Sequence, residues 1–179
     1  MNIKLFAPCM LVVLLAAVDA EAVPTDVQLA NGSLTFQLPA GWMANPDNAQ
    51  TGKKGVYIYG KLIKDGNGNP IIPTCSFILV RTSSTDVVKL YAERRLSPPN
   101  LTKPGRVFTS RDGIISLTNA VGIKASFLAA ANDVHDVVIV DALNAPRQLF
   151  VETVCESPTR LFPMMEGDFR MILGSMRFH

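Results

Sequence analysis

The side chains able to do covalent or metal chemistry are few in this sequence. There are two histidines, His135 and His179, and three cysteines, Cys9, Cys75 and Cys155. His179 is the last residue of the sequence and is expected to be mobile. A hydrolase would therefore have to use His135 as its general base. His135 lies in Asp133-Val134-His135-Asp136, at the start of a predicted strand. Successive strand residues point to opposite faces, so Asp133 and His135 can share a face and Asp136 cannot join them. That leaves a metal without a third ligand, and the cluster reads as a solvated turn. No G-x-S-x-G elbow is present, and Gly66-Asn67-Gly68 leads into no helix, so it is no phosphate loop. A glycosidase needs two carboxylates across a cleft, and no acidic pair stands out. No catalytic residue, metal ligand set or cofactor is assigned. The chain is read as non-enzymatic, with a hydrolase using His135 as an alternative.

The cysteines point to a compartment. Residues 1–22 read as a cleavable signal peptide: Lys4 gives a short positive start and Met10 to Val18 is continuously apolar. That run is short of the ~20 residues that span a bilayer. Ala20-Glu21-Ala22 supplies the small-x-small cleavage pattern, which places the mature start at Val23. Cys9 precedes the apolar run and lies outside any lipoprotein-type box. Two cysteines then remain in residues 23–179, and in an oxidising compartment such a pair reads as a disulfide, Cys75–Cys155. Loss of Lys4, Asp19 and Glu21 from the 17 basic and 15 acidic residues takes the net charge from +2 to +3. That mild excess does not imply nucleic acid, and no second apolar run approaches membrane-spanning length. The mature chain is expected to be one periplasmic or secreted domain.

Strand patterns dominate what must position these residues. Ser33 to Leu38 alternates polar and apolar, with Leu34, Phe36 and Leu38 on one face. Further strands are predicted over 56–63, 75–81, 106–110, 114–118, 123–129, 137–143 and 148–155. Asp65 to Pro70 is a turn cluster, and Asp112-Gly113 reads as a two-residue hairpin turn. Residues 39–54 read as irregular. A middle helix is predicted from the Ser83 cap through Val87, Leu90 and Tyr91, ended by Pro98-Pro99. A closing helix carries Phe162, Met165, Phe169, Ile172 and Met176 at spacings of three and four, an amphipathic stripe. The expected fold is α+β: an antiparallel sheet meander packed by a middle and a C-terminal helix.

This order of elements resembles the PsbP-like (DcrB-like) family of α/β/α sandwiches. The opening Phe36-Gln37-Leu38-Pro39-Ala40-Gly41-Trp42 is similar to that group's F-x-x-P-x-G-W start. The closing Ile172-Leu173-Gly174-Ser175-Met176-Arg177-Phe178 is similar to its I-x-x-S-[FM]-x-F ending. The resemblance implies a non-enzymatic adaptor or binding protein and carries over no catalytic residue.

Two sets of residues are candidates for binding. Trp42, Tyr57 and Tyr59 could line a small-ligand pocket beside the sheet. Arg94, Arg95, Lys103, Arg106 and Arg111 form a stretch with no acid among them, able to face an acidic protein or anionic polymer. The function expected first is an exported protein-binding domain, an inhibitor, an immunity-type protein or an envelope adaptor, acting through loops 39–54 or 94–112. A small-ligand-binding protein of the periplasm is the alternative. Asn31-Gly32-Ser33 and Asn100-Leu101-Thr102 match the glycosylation sequon and are read as incidental.

Overall fold

In the computed structural model the described residues are 23–87, 101–130 and 133–179. The leader read at 1–22, most of the predicted middle helix, Arg94 and Arg95 lie outside them. So does the Lys103 side chain, although its backbone is placed.

The main sheet is antiparallel and seven-stranded. Its strands are β3 (Trp42–Ala44), β4 (Val56–Lys61), β7 (Thr74–Arg81), β8 (Leu101–Thr109), β9 (Ala120–Ala130), β10 (Asp133–Asn144) and β11 (Leu149–Pro158). They lie in the order β3-β4-β7-β11-β10-β9-β8. The expectation of a meander needs one refinement: there are two meanders, β3-β4-β7 and β8-β9-β10-β11, and they meet where β7 pairs with β11. Cys75 and Cys155 are register partners at that seam and are joined as a disulfide. A second sheet holds β1 (Thr25–Leu29), β2 (Leu34–Leu38) and β12 (Arg177–Phe178), in the order β1-β2-β12. A hairpin of β5 (Ile63–Lys64) and β6 (Pro70–Ile71) projects between β4 and β7. Helix α1 (Asn48–Thr51) is a single turn, and α2 (Phe162–Ser175) leads into β12.

The stripe read from the sequence decides how α2 packs. Phe162, Met165, Phe169 and Ile172 are all buried, with Leu173 beside them and Met176 just past the helix end. They meet Phe77, Val140, Ala142 and Val151 from the main sheet. The small sheet covers the rest of that face: Phe36 stacks on Phe77 at 4.2 Å between centroids. Rings of this size dominate core burial and prefer such offset contacts. On the opposite face Val87, Val121, Leu143 and Phe150 form a second cluster. The architecture is an α+β sandwich.

Four local expectations are corrected. Residues 114–118 form no strand; Ile115 and Leu117 are buried in the core from an irregular segment, anchored by the Ser116 hydroxyl on the Met176 carbonyl. Asp112-Gly113 is no hairpin turn: Asp112 ends a 3-10 turn and Gly113 alone takes positive φ, at 72°. The stretch 39–54 contains β3 and α1. His179 is tied down, its amide donating to the Ser33 carbonyl at 3.1 Å and its ring 2.8 Å from the Thr35 hydroxyl.

Candidate functional site

Edge strand β3 borders a group of exposed apolar side chains. Alternation along it buries Trp42 and turns Met43 outward. Trp42 is held from two sides: its Nε1 donates to Asp168 Oδ2 on α2 at 2.8 Å, and its ring meets Phe169 edge-on at 6.0 Å. The same Asp168 oxygen accepts from Lys61 Nζ at 3.0 Å. Register places Trp42 opposite Lys61, so one carboxylate on α2 clamps both strands of the edge pair.

Met43 sits opposite Gly60. A Cβ at Gly60 would lie 2.7 Å from Ile72 Cγ2, so the missing side chain is what lets Ile72 lie against β4. Ile63 pairs with Ile71, and the Lys61 amide donates to the Pro73 carbonyl at 3.2 Å. In that register Leu62 and Ile72 stand side by side at the neck of the β5–β6 hairpin. Met43, Leu62 and Ile72 are 63%, 57% and 59% exposed. They line a shallow groove of about 160 Å³ with Pro46 and Ile58. Single exposed apolar residues are ordinary, whereas a contiguous group of them marks an interaction surface.

The hairpin that carries this patch is braced at its tip. Asp65 accepts the amides of Asn67 and Asn69 at 2.9 and 2.8 Å, and Arg160 reaches its other oxygen at 3.3 Å. These bonds, the Asn69 amide first, hold the Asp65 carboxyl below its ordinary pKa.

The two ends of the main sheet are treated differently. Edge strand β8 carries Pro104, exposed Arg106 and two register shifts, devices that blunt an edge against pairing. Edge strand β3 is blunted only by its three-residue length and bears the apolar patch.

The aromatic candidates are spread out. Trp42 and Tyr59 are buried in the core, and burial pushes the Tyr59 hydroxyl pKa up. Tyr57 is half-buried and lies on the wall of a separate depression of about 240 Å³ with Gly52, Arg81 and Arg147. Of the basic stretch, Arg106 and Arg111 are exposed. Arg106 is 3.6 Å from Asp112, the first acid after the stretch, so folding supplies a counter-charge that the window 94–111 lacks. Asp112 also accepts the Thr109 amide at 2.8 Å, closing a capping box.

His135 and Asp133 do share a face, with Nε2 3.3 Å from Asp133 Oδ2. Asp136 points the other way, into the hydroxyls of Ser126 at 2.6 Å and Thr159 at 3.1 Å. No described hydrogen bond joins His135 to a hydroxyl. Among the described residues no three His, Cys, Asp or Glu side chains converge as a metal site, and no helix is long and apolar enough to cross a membrane.

The fold, once traced, can be compared with solved structures. LpqN of Mycobacterium tuberculosis, described as involved in cell envelope biogenesis, superposes with a TM-score of 0.60 at 14% identity, over 86% of this chain and 89% of that one. The Ran-binding protein Mog1p of Saccharomyces cerevisiae gives 0.55 at 11%, over 88% and 96%. The cyanobacterial PsbP of Synechocystis gives 0.55 at 12%, over 88% and 94%. The chain has the PsbP-like fold. At such identities the likeness is one of fold, and fold alone does not assign function. No protein-family model and no curated protein sequence matches the chain.

The sequence pointed to segment 39–54 but not to the patch. Met43, Leu62 and Ile72 come from three segments with no common spacing. The signal that could have found them is Gly60 within a strand pattern, which often marks close approach of a neighbour.

Proposed function

We propose that this chain is an exported, non-enzymatic protein that binds another protein through the Met43–Leu62–Ile72 patch beside edge strand β3. The exposure of these three large apolar side chains together is the observation that carries the reading. A contiguous group of exposed apolar side chains marks a surface that a partner covers; burying apolar surface contributes roughly 25 cal/mol per Å². The scaffold beneath is cross-tied, with β3 and β4 held on α2 through Asp168. Export is supported by the leader pattern of residues 1–22 and by a disulfide that is stable in oxidising compartments. The role within the envelope is that of an inhibitor, an immunity-type protein or an adaptor. A Ran-binding protein and an envelope-biogenesis protein share this fold, which fits a binding role without naming the partner.

The test is capture from envelope extract by the mature chain, residues 23–179, compared with its Leu62→Asp variant. One partner recovered in stoichiometric amount by the parent and lost by the variant supports the proposal. Equal recovery by both sinks it.

A further inference from the structure

Between α2 and the β8–β9 end of the main sheet lies a cleft of about 290 Å³, on the far side of the molecule's edge from Met43 in strand order. Its floor is apolar. Phe108, Val138, Phe169 and Leu173 are buried there. Gly122 lets Phe108 lie close against β9, since a Cβ at that position would meet the Phe108 ring at 2.5 Å. Small-molecule sites have this construction: an apolar concavity with a few converging polar groups.

The rim supplies those groups, and its charges do not balance. Arg106, Lys124 and Arg170 face two carboxylates, Asp112 and Glu166. One atom, Glu166 Oε1, takes both Lys124 Nζ at 3.3 Å and Arg170 Nη2 at 3.1 Å. Arg106 stands 3.6 Å from Asp112, an ion pair beyond hydrogen-bond length, while the other Asp112 oxygen is engaged by the Thr109 amide. Among the described residues one positive charge is left over above the apolar floor. A dianion would overcompensate it and meet the two carboxylates; a monoanion would complete it. A planar carboxylate also suits the guanidinium fork.

We propose that this cleft binds a small amphipathic monoanion, a carboxylate on a medium-length acyl chain, with its head on Arg106 and Lys124 and its tail on Phe108 and Leu173. Glu166 is the internal competitor for the same cations. Arg170 and Lys124 hold its carboxyl below the ordinary range, so it stays charged and occupies the cations until a ligand arrives. Removing that charge should therefore improve binding. A purely structural role for Glu166 predicts the reverse.

Calorimetry of the oxidised protein with decanoate, decanol and acetate tests this. Decanoate is expected to bind about tenfold more tightly than either of the others, because decanol lacks the head and acetate the tail. Arg106→Ala is expected to weaken decanoate about tenfold, the scale of a lost charged hydrogen bond. Glu166→Gln is expected to tighten it about threefold. The Arg106 and Glu166 side chains are 83% and 37% exposed, so both variants are expected to fold. Decanol binding as well as decanoate would overturn the charged rim, and acetate binding as well would overturn the apolar floor. No decanoate binding, or a Glu166→Gln variant that binds decanoate no better than the parent, would overturn the proposal as a whole.

Discussion

Cys75 and Cys155 face each other across β7 and β11, Cα atoms 4.0 Å apart, at the seam between the two meanders. Their sequence separation is 80 residues, and the chain between them includes β8, β9 and β10. The bond therefore ties the first meander to the last strand of the second. Closing a loop of this length removes roughly 4–5 kcal/mol of unfolded-state freedom in the chain-entropy model, and measured gains are often smaller. The double variant Cys75→Ala/Cys155→Ala is expected to lose about 2–4 kcal/mol in urea unfolding. A loss below about 1 kcal/mol would mean that the register holds the seam without the bond.

Asp168 is expected to matter more than its salt bridge suggests. Its Oδ2 accepts from both Trp42 Nε1 and Lys61 Nζ, but only the indole is buried. Asp168→Ala orphans a buried donor, at a cost of about 1–3 kcal/mol. Lys61→Ala removes a partly exposed ion pair, at under about 1 kcal/mol. Trp42 is the single tryptophan, so its emission reports the site alone. A red shift in Asp168→Ala and none in Lys61→Ala is the expected pattern; equal effects would contradict it.

Gly60→Ala is a test of how the patch is built. The new Cβ would crowd Ile72 Cγ2 at 2.7 Å and come within 3.3 Å of the Pro73 carbonyl; the worse contact is with Ile72, which is exposed and able to move. Partner binding is expected to fall while the unfolding midpoint changes little. A variant that binds normally would show that Ile72 lies outside the interface.

The hairpin tip should weaken in acid. Asp65 has a lowered pKa when folded, so its contribution is present above the unfolded value and is lost as pH falls through the folded one. Glu166 shifts in the same direction, so its contribution is likewise lost as pH falls. Asp65→Asn is expected to flatten the fall in stability between about pH 5 and 2 relative to the parent. Superimposable pH profiles would exclude the Asp65 contribution.

Export makes its own prediction: the chain purified from its producing cell should begin at Val23, as read by amino-terminal sequencing. A chain that retains Met1-Asn2-Ile3-Lys4 would overturn the leader.

Much of the fold was legible because burial leaves a period. The stripe from Phe162 to Met176 and the alternation of Leu34, Phe36 and Leu38 each mark the face that the structure buries. The cysteine pair was legible from compartment logic. The same signal misled at 114–118, where Ile115 and Leu117 alternate with a polar Ser116 yet no neighbouring strand supplies a ladder. Alternation reports which side chains are covered, not whether the backbone pairs. Strand β3 is three residues, too short to show any period. The patch depends on the register of Met43 with Gly60 and on a missing Cβ, neither of which has a local pattern. In the cleft Arg106 was named from the basic stretch, and Glu166 with Arg170, at i and i+4 on α2, form a pair of a kind that sequence spacing can show; Lys124 joins them across 42 positions.

The most direct measurement of the central claim is photo-crosslinking from position 43 of the mature chain, expressed in its own envelope, with position 111 as a control. A single crosslinked protein from position 43, abolished by Leu62→Asp and absent from position 111, is the predicted result. No crosslink from 43, or the same products from both positions, would contradict a partner seated on the Met43–Leu62–Ile72 patch.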